Sequence, residues 1–262
     1  LQRALAHIDT AIRVASESPA IAAGVRVRYR PVGCVALITP WNNPVAIAVG
    51  KIAPALAFGN AVVWKPSPHA PRASRRIMDS LIAAGMPPGV VTLVSGEAET
   101  AQALMRDPVI IAVSITGSQR AGLDAASLCA LFGKPLQAEL GGNNALIVLA
   151  DADFEGAAPA LARSAFSFAG QRCTAVRRFI VEASAAAKFE RVLASATRAL
   201  RVGDPRREDT DVGPLISPER RAQVAAAVEQ ALAGGARLVI GGGQPEGQSG
   251  GCWFEPTLLA DI

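Results

Sequence analysis

Cysteine and histidine are scarce in this sequence, and their scarcity argues against several kinds of site. The 262 residues include four cysteines, far apart and without a Cys-x-x-Cys pair, and only two histidines. Zinc sites need clustered cysteine and histidine ligands, and disulfide frameworks belong to small secreted chains. We therefore predict no metal site, reduced cysteines and a cytoplasmic location.

Aromatic residues and long apolar runs are also few. Aromatic residues make up 5% of the chain and the basic residues form only short clusters, so we expect no nucleic-acid partner. The sequence has no unbroken apolar run of about eighteen residues and does not open on a signal-peptide pattern, so we expect no membrane partner. The chain begins at Leu1 and stops in mid-pattern at Ile262. We interpret both ends as cuts.

The sequence does contain two alternating patterns in a composition typical of globular chains, with 50% hydrophobic and 18% charged residues. Short apolar runs predict strands over residues 25–29, 32–38, 61–64, 90–94, 112–115, 145–148, 179–181 and 237–240. Longer alanine-rich segments predict helices over residues 45–56, 71–84, 97–105, 121–132, 154–168, 185–200 and 218–233. This alternation predicts an α/β fold with a parallel sheet and with ligands at the carboxyl ends of its strands.

The predicted elements fall into two halves. A Gly-Gly pair within residues 139–144 separates them, so we predict one domain over residues 1–141 and a second over residues 142–262. In the first domain, the predicted strand over residues 25–29, followed by Pro31, predicts a hairpin arm near residues 24–31 that reaches outside the sheet.

Cys173 is the strongest candidate for a reactive group. It follows a polar loop, Gly170-Gln171-Arg172, and precedes a predicted strand, so it is expected to be exposed. A thiolate is a good nucleophile, and a nearby cation such as Arg172 would favour it. Both histidines lie far upstream, which argues against a Cys-His hydrolase. The alternative is a buried structural thiol, and this is the interpretation for the cysteines that lie in apolar or glycine-rich runs: Cys34, Cys129 and Cys252.

Glu139 is the candidate general base. It stands alone in an apolar stretch that leads into Gly141-Gly142, so we expect a semi-buried carboxylate. Burial raises the pKa of a carboxyl group and suits it to accept a proton near neutral pH. The alternative is a glutamate at the edge of a strand without a catalytic role.

Three junctions between predicted strands and helices carry polar groups. Asn42, in a turn bracketed by prolines, can donate a hydrogen bond to an oxyanion, although asparagine and proline are also ordinary turn residues. Lys65 ends a predicted strand, where its ammonium group can reach the hydroxyls of a cofactor. The segment Thr116-Gly117-Ser118 opens a helix, a position suited to a phosphate group.

In this order, the segments resemble the aldehyde dehydrogenase superfamily. The matching motifs are Pro40-Trp41-Asn42-Asn43-Pro44, Lys65-Pro66-Ser67, Thr116-Gly117-Ser118, Glu139-Leu140-Gly141-Gly142 and Gly170-Gln171-x-Cys173. The 34-residue step from Glu139 to Cys173 and the 23-residue step from Asn42 to Lys65 are habitual in that family. The resemblance implies a Rossmann-like NAD(P)-binding domain over residues 1–141, followed by a truncated α/β catalytic domain over residues 142–262.

The resemblance also implies a reaction. An aldehyde, with semialdehydes among the candidate substrates, is oxidised to the carboxylic acid through a thioester on Cys173, with NAD or NADP as cofactor. Asn42 then helps to hold the oxyanion, Glu139 activates water, and Lys51 belongs to a proton route. The residues implied in cofactor binding are Ile38, Thr39, Pro40, Trp41, Lys65, Ser67, Pro68, Gly96, Gly117, Ser118 and Leu140.

The sequence departs from the family pattern near the cofactor. Pro68 and Arg120 stand where acidic residues are usual, and Ala98 stands where the loop beginning at Gly96 has a second glycine. The first two changes remove negative charge near the adenine ribose, so NADP becomes acceptable beside NAD.

Two other functions remain open at this stage. An acylating relative would pass the thioester to coenzyme A, although such members tend to lack the carboxylate of Glu139. A non-catalytic nucleotide-binding fragment is the second alternative. The resemblance further implies a homo-oligomer for the full-length protein.

Overall fold

The structure is a computed structural model that describes residues 1–17, 20–22, 24–248 and 250–262. The chain divides into two compact units, Leu1–Gly141 and Gly142–Ile262, each with its own hydrophobic core. Both units combine helices with strands, and the first contains a parallel sheet, so the predicted α/β class is confirmed.

In the first unit, helices and strands alternate from residue 34 onward. Its helices are α1 (Gln2–Ser16), α2 (Ala46–Ala57), α3 (Pro71–Ala83), α4 (Ala98–Arg106) and α5 (Gln119–Leu131). Its strands are β1 (Ala20–Ala22), β2 (Val25–Arg26), β3 (Cys34–Thr39), β4 (Ala61–Pro66), β5 (Val91–Leu93), β6 (Ile110–Thr116) and β7 (Leu136–Glu139). Strands β1 and β2 pair antiparallel with each other.

Strand β3 is the centre of a five-stranded parallel sheet with the order β5-β4-β3-β6-β7. Val35 and Leu37 pack into a cluster with residues of α2 and β4, whereas Ala36 and Ile38 pack into a second cluster with residues of α4 and α5. A strand covered on both faces has no solvent side, which explains why β3 is an unbroken apolar run in sequence.

Most predicted elements of the first unit are confirmed within two residues, but the strand predicted over residues 25–29 ends at Arg26, and α1 and β1 were not predicted. Strand β3 begins at Cys34 instead of residue 32, because the backbone N–H groups of Val32 and Gly33 donate to the side-chain oxygen of Asn60. Strand β7 was not predicted. It is an edge strand whose Gln137 and Glu139 are exposed, so it has no apolar run to reveal it.

The second unit contains three helices and four strands in its described part. The helices are α6 (Phe154–Phe166), α7 (Ala186–Arg198) and α8 (Pro218–Ala233), with a short 3₁₀ helix over Ser167–Gly170. The strands are β8 (Asn144–Val148), β9 (Val176–Val181), β10 (Arg237–Ile240) and β11 (Leu258–Ala260). Strands β8 and β9 are parallel, and β10 and β11 are antiparallel.

Aromatic packing centres the core of this second unit. Phe189 of α7 stacks edge-on against Phe154 of α6, with 5.7 Å between ring centroids, and lies 5.5 Å from the ring of Phe179 in β9. Such pairs contribute roughly 1 kcal/mol each beyond the area they bury. They hold α6, α7 and β9 together, and β9 in turn follows the loop that carries Cys173.

Candidate active site

The carboxyl edge of the parallel sheet gathers most of the residues implicated in cofactor binding. Residues 40–42 follow β3, residues 67–68 follow β4, Gly96 lies beyond β5, residues 117–118 follow β6, and Leu140 follows β7. All strands of a parallel sheet end at the same edge, so the structure brings these segments to one side of the first unit.

Ile38 and Thr39 lie at this edge, but both side chains point into the protein. Ile38 belongs to a core cluster, and the Thr39 hydroxyl accepts a hydrogen bond of 2.8 Å from the indole N–H of the fully buried Trp64. This bond ties the ends of β3 and β4 together, and the backbone of both residues remains the part that can face a cofactor.

Lys65 is buried, with 6% of its surface exposed, next to the end of β4. Burial lowers the pKa of its ammonium group, and the nearby carboxylate of Glu97 opposes that shift. Its Nζ atom lies 3.4 Å from the carbonyl oxygen of Pro66. Pro68, in contrast, is exposed and Ser67 is half-buried. Glu97 therefore places a carboxylate in the neighbourhood of Lys65, which the sequence pattern did not indicate.

The β6–α5 junction has the local structure of an anion site. Ser118 caps α5 by accepting a hydrogen bond from the backbone N–H of Ala121, and helix starts present N–H groups and a positive dipole end. A Cβ atom at Gly117 would meet only ordinary contacts of 3.7 Å or more, so the fold does not require glycine there. A Cβ atom at Gly96, by contrast, would collide with the hydroxyl of Thr100.

Leu140 is held by packing against α5. Gly122 in that helix is buried, and a side chain there would overlap the Leu140 methyl groups. The close approach explains why a glycine occurs inside a helix, where it costs about 1 kcal/mol relative to alanine. It also fixes the chain directly after Glu139.

Glu139 is the last residue of the edge strand β7 and is exposed, so the expected semi-burial of its carboxylate was wrong. Its Oε1 atom accepts a 3.0 Å hydrogen bond from the Gln137 amide nitrogen. The Gln137 oxygen accepts hydrogen bonds from Lys51 Nζ at 2.8 Å and from Ser114 Oγ, and Lys51 also donates to Ser114 Oγ at 2.6 Å. Two of the predicted catalytic residues, Lys51 and Glu139, are thus linked through Gln137.

Cys173 lies in the second unit, between the 3₁₀ helix and β9, and its side chain is exposed as predicted. Asn144 holds its backbone. The Asn144 amide nitrogen donates to the carbonyl oxygens of Cys173 at 2.5 Å and of Ala175 at 2.9 Å. An amide group with two donor hydrogens suits this double contact, which fixes the loop on both sides of Thr174.

Other side chains hold the approach to Cys173. The Gln171 oxygen accepts from the backbone N–H of Ile216, and the Arg172 guanidinium donates to the Ser164 carbonyl at 3.0 Å and lies 5.6 Å from the Phe168 ring. Phe168 and Ala169 have φ angles of 57° and 53°, in a region that costs non-glycine residues roughly 1 kcal/mol or more. This turn is strained at the point where it leads to the candidate nucleophile.

The other three cysteines are less accessible. Cys129 is buried in a core cluster, and Cys34 and Cys252 are partly buried. Burial raises the pKa of the Cys34 thiol, with the carboxylate of Asp107 adding to the shift, and burial also raises that of Cys129. Both thiols are therefore poorer sources of thiolate.

Asn42 is half-buried in the turn after β3. It belongs to the first unit with Glu139 and Lys51, whereas Cys173 belongs to the second.

The residues that sequence reasoning missed are Ser114, Gln137, Asn144 and Glu97. Only Gln137 carried a signal, because it alternates with Glu139 and so shares its face of a strand.

The parallel sheet, with helices packed on both of its faces, defines the class of this chain as an α/β protein. The model of the aldehyde dehydrogenase family matches residues 4–262. This chain belongs to that family.

Two curated relatives give a measure of the similarity. A 2-aminomuconic 6-semialdehyde dehydrogenase from a Pseudomonas species is 38% identical over 238 residues, which cover 89% of this chain and 48% of that protein. A betaine aldehyde dehydrogenase from Rhizobium etli is 39% identical over 233 residues, with coverage of 88% and 48%. The chain spans about half the length of the curated relatives it matches.

Solved structures agree with this assignment. A mutant aldehyde dehydrogenase C from Pseudomonas syringae, in complex with NAD+ and octanal, has a TM-score of 0.91 at 35% identity and covers 99% of this chain and 55% of its own. A glyceraldehyde-3-phosphate dehydrogenase from Methanocaldococcus jannaschii, complexed with NADP, has a TM-score of 0.89 at 34% identity, with coverage of 98% and 57%.

Within the part of the chain that the structure describes, none of the helices combines the length and the apolar character needed to cross a bilayer. No group of three or more histidine, cysteine, aspartate or glutamate side chains is arranged to hold a metal ion among those same residues.

The burial of Lys51 predicts a pH-dependent stability. Burial lowers its pKa from 10.5 to about 8, although the carboxylate of Glu139 opposes the shift. Between these values the unfolded chain binds more protons than the folded one, so stability rises with pH in this window. A shift of this size is worth about 3 kcal/mol, which solvent screening of a half-buried group reduces to roughly 1 kcal/mol.

Urea unfolding of wild type and Lys51→Met at pH 7.5 and pH 10 measures this contribution. We expect the wild type to gain roughly 1 kcal/mol relative to the variant as the pH rises, because the burial penalty on the ammonium group is relieved. Lys188→Met, which removes an exposed lysine of α7, is the matched control. An unchanged difference between wild type and Lys51→Met at the two pH values contradicts the assignment.

Proposed function

We propose that the full-length protein oxidises an aldehyde to the carboxylic acid with NAD+ or NADP+, through a thioester on Cys173. The observation that carries the proposal is the exposed thiol of Cys173 on a loop held by Asn144, in a chain whose family match covers residues 4–262. The two units then have the roles of an NAD(P)-binding domain, residues 1–141, and a catalytic domain, residues 142–262.

The first half of the reaction uses Cys173 as the nucleophile. Its thiolate sulfur forms a bond to the aldehyde carbon, and the carbonyl electron pair moves to the oxygen. The family resemblance implies that the side-chain amide of Asn42 and the backbone N–H of Cys173 donate hydrogen bonds to this oxyanion. A nicotinamide cofactor, once bound, would accept the hydride that leaves this carbon, which would bring the carbon to the oxidation level of a thioester on Cys173.

The second half of the reaction releases the acid. Glu139 takes a proton from water, the water oxygen forms a bond to the thioester carbon, and the carbon–sulfur bond breaks. The products are the carboxylic acid and the Cys173 thiolate. The exposure of Glu139 supports this role, because a base must return its proton to solvent before the next cycle.

The residues at the carboxyl edge of the sheet fit a dinucleotide. Lys65 suits the hydroxyls of the adenine ribose, and the N-terminus of α5 at Gly117 and Ser118 suits the pyrophosphate. Gly117 supports this fit, because the fold itself leaves room for a side chain there. Ile38, Thr39, Pro40, Trp41, Ser67, Pro68, Gly96 and Leu140 complete the proposed cofactor contacts.

We propose a small polar aldehyde as the substrate, with semialdehydes as the favoured class. The support is the similarity to a 2-aminomuconic 6-semialdehyde dehydrogenase and to betaine aldehyde dehydrogenases, whose substrates are polar aldehydes by name. Assembly into a homo-oligomer and a cytoplasmic location stay predictions for the full-length protein.

Substitution of the two central residues tests the proposed function. In the full-length protein, Cys173→Ala is expected to abolish aldehyde oxidation while NAD(P)+ binding survives. Glu139→Gln is expected to keep a burst of NAD(P)H and to slow the steady state roughly a hundredfold, because water attack loses its base. Stopped-flow absorbance separates the two phases.

Cys252→Ala is the matched control for loss of a thiol and is expected to behave as wild type. Appreciable turnover by Cys173→Ala would end the assignment of the nucleophile. Loss of the burst together with the steady state in Glu139→Gln would move that residue to activation of Cys173. Formation of an acyl-coenzyme A in place of the acid would favour the acylating alternative.

The cofactor preference is a second test. With Pro68 in place of a carboxylate, repulsion of a 2′-phosphate is weakened, so we expect kcat/KM for NADP+ at least comparable to that for NAD+. Pro68→Glu restores the charge and is expected to shift the ratio toward NAD+ about tenfold, which corresponds to about 1.4 kcal/mol.

Glu97 offers a specific alternative, because its carboxylate influences Lys65. If Glu97 clasps the ribose, wild type will strongly prefer NAD+ and Glu97→Gln will lose that preference. Glu99→Gln, on an exposed residue in the first turn of α4, the helix that Glu97 directly precedes, is the charge-matched control. A strong NAD+ preference that survives both Pro68→Glu and Glu97→Gln contradicts the proposed ribose site.

A further inference from the structure

The hydrogen bonds around Gln137 connect groups of opposite charge. Residue pairing between β6 and β7 sets Gln137 opposite Ser114, and the alternation of a strand puts Gln137 and Glu139 on the same face. Lys51 reaches this face from α2. The Gln137 side chain therefore stands between the ammonium group of Lys51 and the carboxylate of Glu139.

The chemistry of the partners fixes the orientation of the Gln137 amide. A lysine ammonium group can only donate, so the atom that faces Lys51 must be the amide oxygen. The amide nitrogen must then face Glu139, where it donates to Oε1 at 3.0 Å. A carboxylate oxygen that receives this bond acts as an acceptor, and its position is set by the amide.

Two donors act on the Gln137 oxygen, since Ser114 Oγ donates to it as well as Lys51. Bonds of this kind polarise the amide, and a polarised amide donates more strongly at its nitrogen. The positive charge of Lys51 thereby strengthens, through the polarised amide of Gln137, the hydrogen bond that Gln137 donates to Glu139. An amide N–H does not exchange its proton readily, so the link orients Glu139 and does not shuttle protons.

We propose that Gln137 is a positioning residue for Glu139 in the deacylation half of the reaction. It holds the carboxylate by donating from its amide nitrogen and couples that donation to Lys51 and Ser114. The inference rests on the proposed function, in which Glu139 activates water. The sequence alone gives no role to Gln137, which lies outside the motifs that carry the family resemblance.

Two substitutions at this position distinguish donation from shape. Gln137→Glu keeps the size of the side chain and an acceptor for Lys51, but it cannot donate when ionised and sets a like charge beside Glu139. Gln137→Met keeps the length and removes all three hydrogen bonds of the side-chain amide, to Lys51, Ser114 and Glu139, without adding charge. If the hydrogen bond donated by Gln137 to Glu139 matters, wild type has the fastest deacylation, Gln137→Met is slower and Gln137→Glu is the slowest. If only shape matters, Gln137→Glu resembles wild type.

The measurement is stopped-flow NAD(P)H formation by the full-length variants. We expect Gln137→Met to slow the steady state on the order of tenfold and Gln137→Glu to slow it further, with burst rate and amplitude within about twofold of wild type. Ser114→Ala, which leaves the amide nitrogen in place, is expected to give a smaller effect. Gln230→Glu, on the exposed surface of α8, is the control for added charge.

The outcomes separate this inference from the proposed function. Retention of the NAD(P)H burst shows that a Gln137 variant is folded. If Gln137→Glu does not fold, the deacylation rate of Ser114→Ala still tests the hydrogen bonds of Gln137. Equal slowing of both phases, or a Gln137→Glu variant as fast as wild type, overturns the positioning role. An unimpaired steady state in Glu139→Gln overturns the proposed function itself, whatever the Gln137 variants do.

Discussion

The parallel pairing of β3 with β4 on one side and with β6 on the other is the constraint on which the first unit depends. This register sets Ile38 beside both Lys65 and Ile115, so three strands end at the same level of the sheet. The buried hydrogen bond from Trp64 to Thr39 stabilises that alignment at its carboxyl end. The loops proposed to bind a dinucleotide are consequences of it, because each begins where one of these strands stops.

The pairing of β6 with β7 likewise fixes the positions of the polar residues at the edge of the sheet. Ser114 is opposite Gln137, and Thr116 is opposite Glu139, because β7 pairs in parallel with β6. In the second unit, side-chain hydrogen bonds fix the position of the loop instead. Asn144 at the start of β8 donates to the backbone on either side of Thr174 and so holds the backbone around Cys173. Each unit thus holds its proposed catalytic residue from the end of a strand. Strand register does this for Glu139, and the two hydrogen bonds of Asn144 do it for Cys173.

Sequence patterns predicted the buried strand β3 at the centre of the parallel sheet and missed the exposed edge strand β7. Strand β3 is almost entirely apolar because both of its faces are covered. Strand β7 lies at an edge and alternates polar and apolar residues, so its short sequence did not predict a strand. The exposure of Cys173 followed from its polar loop. The exposure of Glu139 could not be predicted in this way, because that exposure follows from the position of β7 at the edge of the sheet. The contacts of Gln137 and Asn144 depend on strand pairing and loop folding across more than twenty residues, which local patterns do not encode.

Isolation of the acyl group on the enzyme tests the proposed thioester on Cys173. The full-length Glu139→Gln variant is mixed with an aldehyde and NAD(P)+, quenched in acid, digested and analysed by mass spectrometry. We expect the acyl mass on the peptide that contains Cys173, released by hydroxylamine and formed only when the cofactor is present. An acyl group on Cys34, Cys129 or Cys252, or reduced cofactor without any acylated peptide, would contradict it.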